Sequence, residues 1–435
     1  VHRVLDLLEG FHFGSYGRVG WSADLREGSR ARPLNVTTHG PRLEEAPYFE
    51  LDLGYALERQ DALSFRVAFT LAFDEALFHY DGDFAAKLAV RNLFAEADHL
   101  LLPGLSLWVG ARMLRGDDIY LLDYWPLDEL NTLGGGLGLE VGATRLDLHF
   151  GVNRLEEDYQ WQTIEVPDPR GGEQPVVVLD RQRTIGSVAL TRRFAPLWGR
   201  LTPKAMLYGE VHLLPEGTFR REPLQPEHLP DDSGWAIGAQ LGLQDDGGSF
   251  VNLWLRAAAG LAAYDELQVP FGLGPDKRAS GAREIVVALA GNLEQRWWGL
   301  LLGAYLRSFR DADEVASDPD DGWEYVTAAR PMLYLTRHFH QGFELSLQAR
   351  RPDGLDPRDG VHRVPLVFKA SLLPTLSWDR GSYSRPQLRL IYTVSYLDED
   401  ARLGFAEEDP RRGVAVHHFI GAQAEWWYHS FSLQR

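Results

Sequence analysis

The chain has 435 residues, a formal net charge of −18 and no cysteine. Its mean hydropathy is −0.25, and no apolar run reaches the roughly 18 residues that a membrane-spanning helix requires, so helical membrane proteins are excluded. No basic tract offsets the acidic balance, which argues against nucleic acid as a partner, and no linker divides residues 1–435, so we expect a single domain.

The dominant pattern along the chain is alternation of polar and apolar residues. Tyr48, Glu50 and Asp52 would lie on one face of a strand, and Phe49 and Leu51 on the opposite face. Clusters of Gly, Pro, Asp and Asn separate such segments, which are roughly 8 to 11 residues long, as expected of strands joined by turns. The same alternation predicts strands at residues 145–150, 204–213, 250–256, 284–293, 387–396 and 421–428.

Strands of this length, repeated over the whole chain, favour one closed β-barrel over a two-sheet soluble sandwich, which would alternate as well. A transmembrane barrel is compatible with the low hydropathy, because only every second residue of a strand faces lipid. The 13 Trp and 16 Tyr suit both the aromatic girdles of such barrels and stacking surfaces for sugars. The Asp-rich segment 311–321 is predicted to be an exposed loop.

Several short sequences, taken in chain order, resemble the maltoporin family of sugar-specific porins. The most specific is LWVGARMLRGDDIYLLDYW at residues 107–125, which in that family runs from a strand into the loop that narrows the pore. The others are FGSYGRVGW at 13–21, RL at 42–43, YFEL at 48–51, ARPM at 329–332, YSRP at 383–386 and IGAQAEWWY at 420–428. Each match is short, but together they follow the family's order from end to end.

This resemblance implies an all-β, transmembrane, antiparallel up-and-down β-barrel of about 18 strands, the size class that leaves an aqueous channel. It implies a location in the bacterial outer membrane, contact with outer-membrane lipids and assembly as a homotrimer. The expected function is facilitated diffusion of sugars or oligosaccharides of the maltodextrin type, without a cofactor. A constriction loop is expected at about residues 117–135.

The resemblance also assigns roles to individual side chains. Sugars can stack their apolar C–H faces on aromatic rings and exchange hydrogen bonds with charged groups along the edge. The expected sugar-stacking path consists of Tyr16, Tyr48, Trp125, Tyr383 and Trp427. The expected polar rim consists of Arg18, Arg42, Glu50, Arg115, Asp118 and Asp123.

Strand periodicity gives independent support for two of the stacking residues. Tyr16 and Arg18 are two positions apart, as are Tyr48 and Glu50, so each aromatic residue shares its strand face with a charge. A charge facing lipid would be costly, which favours the lumen for both rings. The alternative is that these rings belong to the aromatic girdles at the membrane interfaces.

Other assignments keep an alternative, of equal standing except at Asp118. Trp426 and Trp427 are adjacent, so only one can face the lumen, and the resemblance alone selects Trp427. Arg42 and Arg115 could be salt-bridge partners inside a polar barrel instead of sugar contacts. For Asp118 the pore rim is favoured over a solvated loop face, and a calcium site is a weaker third alternative because the spacing matches no ligand loop.

The sequence departs from the family pattern in three places. An Arg that the family places near Phe84 is missing, and Lys87 is the nearest cation that precedes the next strand. Ile237 stands where a stacking aromatic residue is expected, which would shorten the path towards its exit. The loop near residues 78–83 is short, so an aromatic contribution across subunits is in doubt.

Three other functions compete with a sugar channel. A general porin or an envelope scaffold would need no stacking path, and the kept Arg18, Glu50 and Asp123 argue against a scaffold. An outer-membrane hydrolase would need a nucleophile with a positioned His and an acid, and no such motif occurs, so no enzymatic activity is expected. The 14 His residues are scattered, and no metal site is expected from them.

Overall fold

The computed structural model describes residues 10–25, 33–58, 63–74, 82, 87–157, 159–222, 225–315 and 318–431. Eighteen strands form one closed antiparallel sheet in which the first strand, Phe11–Ala23, pairs with both the second, Tyr48–Glu58, and the last, Val416–Tyr428, so the predicted barrel is confirmed. Its strands are β1 Phe11–Ala23, β2 Tyr48–Glu58, β3 Ser64–Asp74, β4 Lys87–Asp98, β5 Leu105–Arg115, β6 Glu129–Val141, β7 Thr144–Asn153, β10 Arg183–Arg193, β11 Leu201–Leu214, β14 Asp232–Asp245, β15 Phe250–Gly260, β16 Arg283–Glu294, β17 Trp298–Arg310, β18 Gly322–Tyr334, β19 Phe339–Pro352, β20 Leu366–Ser377, β21 Gln387–Leu397 and β22 Val416–Tyr428.

The connections divide the barrel into two different rims. One rim carries short turns, such as residues 142–143 and 295–297, and the other carries longer loops. Two of the long loops form hairpins of their own, β8 (Trp161–Pro167) with β9 (Glu173–Asp180) and β12 (Gly217–Glu222) with β13 (Gln225–Leu229). Within the described residues, no helix is long and apolar enough to cross a membrane.

Alternation along each strand separates a lumen face from a lipid face. On β21, Gln387 and Arg389 are buried in the lumen, whereas Leu388 and Leu390 are 57% and 61% exposed on the outside. Polar residues can line a wet interior, and apolar residues must meet the hydrocarbon. The predicted alternation in residues 387–396 is therefore confirmed as barrel wall.

The loop between β5 and β6 folds into the lumen. It comprises residues 116–128, and the predicted range of 117–135 is wrong at its end because residues 129–135 belong to β6. Its apolar face packs on the inner wall of β11 and of β15 to β18, and the loop contributes a short 3-10 helix, Tyr120–Leu122. The buried apolar side chains of the loop are Ile119, Tyr120, Leu121, Leu122, Tyr124 and Leu127. This packing fixes the loop across the barrel interior.

Gly110 tests how tightly β4 and β5 approach each other. Its φ is +139°, and a Cβ atom there would lie 2.2 Å from the carbonyl oxygen of Leu93. We expect Gly110→Ala to lower the free energy of unfolding by about 2 kcal/mol or more, since a strained backbone and a clash add up. Urea unfolding of the folded barrel in detergent measures this change in the free energy of unfolding. Gly186→Ala, whose Cβ would lie 3.9 Å from its nearest neighbour, should unfold like the parent protein, and equal losses in both variants would contradict the explanation.

The described residues of the acidic segment, 311–315 and 318–321, form a loop as predicted, but they are not fully exposed. Asp311, Asp318 and Asp321 are only 6%, 9% and 9% exposed. The backbone N–H of Asp311 donates to the carboxylate of Asp321 at 2.6 Å, which folds the ends of the loop together. Burial, with the neighbouring carboxylates, raises the pKa of Asp311 to about 7 and that of Asp318 to about 6.

This loop should become less stable as the pH rises. Carboxyl groups with raised folded-state pKa values stabilise the loop fully below their unfolded pKa, near 4, and lose that contribution as the pH passes 6 to 7. We expect stronger hydrogen-exchange protection of residues 311–321 at pH 5 than at pH 8, after correction for the intrinsic exchange rate. Asp311→Asn should flatten this dependence. Equal corrected protection at both pH values in the parent protein would contradict the prediction.

Candidate functional site

Aromatic side chains line the lumen where the barrel closes. In the strand register, Tyr16 on β1 lies directly opposite Trp427 on β22 and opposite Glu50 on β2, which brings their Cβ atoms to about 5 Å. The ring of Tyr48, also on β2, lies 5.9 Å from that of Tyr16. The three rings are half-buried. Closure of β1 on both neighbours therefore places these three aromatic side chains on adjacent strands of one lumen face.

The turn between β20 and β21 extends this surface. It folds inwards, so the ring of Tyr383 lies 6.3 Å from Trp427 and 6.1 Å from Phe250 at the start of β15. Phe250 was not predicted, although it shares a lumen face with Trp254 by simple alternation. The prediction that Ile237 occupies a stacking position is wrong, because Ile237 is 55% exposed on the outer face.

Trp125 lies on the constriction loop rather than in this row of rings. The guanidinium carbon of Arg115, the last residue of β5, stands 3.6 Å from the centre of its ring. In the described part of the chain, no ring contact joins Trp125 to Tyr16, Tyr48 or Trp427. The structure thus brings four of the five predicted stacking residues together and places the fifth on a separate element.

The two adjacent tryptophans face opposite sides of β22. Trp427 packs against the apolar cluster of the constriction loop. Trp426 lies on the outer face, where its indole N–H donates to the Ser15 hydroxyl at 3.0 Å and its ring covers Gly17. The lumen position chosen for Trp427 therefore agrees with the structure.

Charged side chains border the aromatic surface in pairs. Arg18 lies 2.5 Å from Glu45, and Arg42 donates to the Tyr16 hydroxyl at 2.6 Å. Arg42 also lies 3.5 Å from Asp123 on the constriction loop, a residue with φ +50°. The loop and the barrel wall are thereby joined beside the Tyr16 ring.

A second group of polar contacts surrounds Glu50. The Tyr48 hydroxyl donates to its carboxylate at 2.5 Å, and Arg91 on β4 pairs with it at the same distance. Arg91 also donates to the Tyr48 hydroxyl. Phe84, where an Arg was found missing, lies outside the described residues, and Lys87 is exposed at the start of β4. Arg91, which was not among the predicted rim residues, is thus the cation that contacts both Glu50 and Tyr48.

The remaining predicted rim residues lie on or beside the constriction loop. Arg115 pairs with Glu129 at the two strand ends that bracket the loop. Asp118 is half-buried. Its neighbour Asp117 pairs with Lys204 and accepts a hydrogen bond from Gln240 at 2.6 Å, which holds the loop against β11 and β14.

One buried carboxylate in the lumen was missed altogether. Glu425 on β22 is 2% exposed and accepts hydrogen bonds from Arg385, Arg389 and the hydroxyl of Tyr120. The signal was present in the sequence, since Glu425 and Trp427 alternate on one strand face. A charge at such a position marks the lumen side of a membrane strand.

The described lumen thus combines a row of aromatic rings with a border of paired charges. The rings offer flat apolar area, and the paired groups offer both hydrogen-bond donors and acceptors. The constriction loop narrows the lumen beside these rings. This arrangement suits reversible contact with a passing polar solute.

The fold resembles that of solved outer-membrane proteins. The outer membrane channel DcaP of Acinetobacter baumannii shares 10% sequence identity, with 97% of this chain and 98% of that chain covered and a TM-score of 0.50. Pseudomonas aeruginosa OccK1 (OpdK) shares 10% identity, with 97% and 99% covered and a TM-score of 0.48. No curated protein was found to match the chain. At these identities the likeness concerns the barrel fold.

The sequence also matches a known protein family. The family model described as LamB porin matches residues 11–428, from the first residue of β1 to the last residue of β22. Together with the closed barrel of 18 strands, this match makes the protein a multi-pass β-barrel of the bacterial outer membrane. The chain belongs to the LamB porin family of outer-membrane channels.

Proposed function

We propose that the protein conducts neutral sugars or oligosaccharides, of the maltodextrin type, by facilitated diffusion. The observation that carries this proposal is the lane of lumen rings formed by Tyr48, Tyr16, Trp427 and Tyr383, whose successive members are neighbours by ring contact or strand register. Charged pairs border this lane on the β2 and loop sides. A sugar ring stacks its C–H face on such a surface and turns its hydroxyls to the border.

The charge pattern favours a neutral solute over an ion. Each of the three predicted rim cations, and Arg91 as well, has an acidic partner within 4 Å, so the border presents donors and acceptors without a strong net field. The pairs are Arg18–Glu45, Arg42–Asp123, Arg91–Glu50 and Arg115–Glu129. A channel built for organic anions would need cations left in excess along the path.

The lane also suits transport better than tight binding or catalysis. Several similar, partly exposed contacts in a row let a solute move from one to the next, whereas one deep pocket would trap it. We therefore expect passive flow along the solute gradient and no enzymatic activity. We further propose that the protein works as a homotrimer in contact with outer-membrane lipids, which cross-linking in native membranes would test.

The experiment is single-channel recording of the purified protein in a planar bilayer, with linear maltooligosaccharides added stepwise. Saturable block that tightens with chain length, up to the length of the lane, supports a sugar-binding pore. A steady current that no sugar perturbs would leave a general porin. Absence of current in a folded barrel would favour an envelope scaffold, and release of shortened sugars would favour a hydrolase.

A further inference from the structure

Glu425 joins four separate segments of the chain at the constriction. Its carboxylate accepts hydrogen bonds from the Tyr120 hydroxyl at 2.9 and 3.1 Å and from Arg385 Nε at 3.0 Å. Arg389 on β21 pairs with it, and Arg42 lies 4.0 Å away. Tyr120 belongs to the constriction loop and Arg385 to the inward-folded turn before β21. One carboxylate therefore holds the loop, the turn and the wall together.

Three guanidinium groups surround the ring of Tyr120, and each has an acidic partner. The guanidinium carbons of Arg42, Arg385 and Arg330 lie 4.7, 5.5 and 5.7 Å from the centre of its ring. Arg330 has its own carboxylate in Glu344, at 2.7 Å. For Arg385 and Arg389, Glu425 is the one acidic partner within 4 Å among the described residues.

We propose that Glu425 positions the constriction loop and sets the ion selectivity of the channel. Its charge offsets two buried guanidiniums beside the constriction loop, and its oxygens hold that loop through Tyr120. Glu425 is a positioning residue here, because the solute path is lined by the loop and the rings that it holds. This role of Glu425 depends only on an open channel and not on which solute the channel conducts.

Neutralising Glu425 should have two separable effects. Without the negative charge, Arg385 and Arg389 make the constriction more cationic, which repels potassium and attracts chloride. Without the carboxylate, Tyr120 loses an ionised acceptor, and charge-assisted hydrogen bonds are about twice as strong as neutral ones. The loop tip should then fluctuate more, while the apolar face of the loop still packs on β15 to β18.

The test compares Glu425→Gln with Glu96→Gln in potassium chloride alone. Glu96 is a matched control, because it is a buried carboxylate of the lumen wall held by two guanidiniums, Arg66 and Arg112, at a distance from the constriction loop. In Glu425→Gln we expect the chloride-to-potassium permeability ratio to rise by about threefold, the scale of one unit charge screened by water and salt. Open-channel noise should rise too. Glu96→Gln should change neither quantity appreciably.

Two further variants separate the hydrogen bond between Tyr120 and Glu425 from the charge of Glu425. Tyr120→Phe removes only the hydroxyl, so noise should rise while the permeability ratio stays at the parent value. Glu425→Asp keeps the charge and should keep the ratio. The proposal fails if Glu425→Gln behaves like Glu96→Gln. If Glu425→Gln does not fold, as judged by heat-modifiable migration on gels, unchanged noise in Tyr120→Phe overturns the positioning role.

These recordings contain no sugar, so they test the role of Glu425 separately from the proposed sugar transport. A selectivity shift without any sugar block would support the role of Glu425 in a general porin. Sugar block in a channel whose selectivity ignores Glu425 would retain the sugar channel and refute the role inferred for this carboxylate.

Discussion

Replacing Trp427 with alanine is expected to weaken maltooligosaccharide block of the single-channel current at least tenfold. Trp427 sits between Tyr16 and Tyr383 in the lane, so its loss divides the aromatic surface into two shorter parts. A tenfold change corresponds to about 1.4 kcal/mol, within reach of one stacked ring and its buried area. The blocking constant for a series of linear sugars, taken from current titrations, measures the effect.

The neighbouring tryptophan provides the control. Trp426→Phe keeps an aromatic ring on the outer face, but it makes the ring system smaller and removes the indole N–H that contacts Ser15. Its blocking constants should match those of the parent protein. Equal weakening in both variants would point to a general disturbance of β22, and unchanged block in Trp427→Ala would remove this ring from the sugar path.

A second large effect is expected at Arg91. Glu50 is fully buried, and Arg91→Ala leaves its carboxylate with the Tyr48 hydroxyl but without its guanidinium partner. Breaking a buried pair from one side costs about 3 kcal/mol or more. We expect the urea midpoint of unfolding to fall, and sugar block to weaken because Tyr48 loses a contact that fixes its ring.

Two variants distinguish this explanation from a general loss of charge. Arg310→Ala removes a cation whose side chain is 67% exposed and pairs with Asp353 at the surface, so it should change stability by less than about 1 kcal/mol and leave sugar block unchanged. The double variant Arg91→Met with Glu50→Gln removes both buried charges and should recover most of the lost stability. If the double variant is as unstable as Arg91→Ala, the stranded carboxylate is not the cause.

The architecture could be predicted from the sequence because membrane strands repeat one simple rule. Alternation located strands such as β2, β16 and β21, and the spacing of Tyr16 from Arg18 correctly indicated a shared lumen face. Short-range periodicity carries this information, since a strand exposes every second residue to lipid. The boundary of the constriction loop was missed, because residues 129–135 alternate weakly and lead into three consecutive glycines at 134–136.

Arg91 escaped prediction for a specific reason. The pairing of β3 with β4 shifts at this point, so Thr70 faces Asn92 and Leu71 faces Val90. Arg91 is the extra residue of a β-bulge, which breaks the period of two and turns its side chain into the lumen. Glu425 and Phe250 do follow the period of two that places them on the lumen face. Their contacts, however, are with the turn before β21 and the constriction loop, whose positions cannot be derived from strand periodicity.

The seam between β1 and β22 has a consequence for how the channel matures. The aromatic lane divides at this seam, with Tyr48 and Tyr16 near one end of the chain and Trp427 and Tyr383 near the other, so Tyr16 meets Trp427 only when β1 pairs with β22. Contacts so distant in sequence form late, because a long loop must close first. An unclosed sheet holds half of the lane at each free edge. Sugar block therefore counts only those barrels that have completed their final strand pairing.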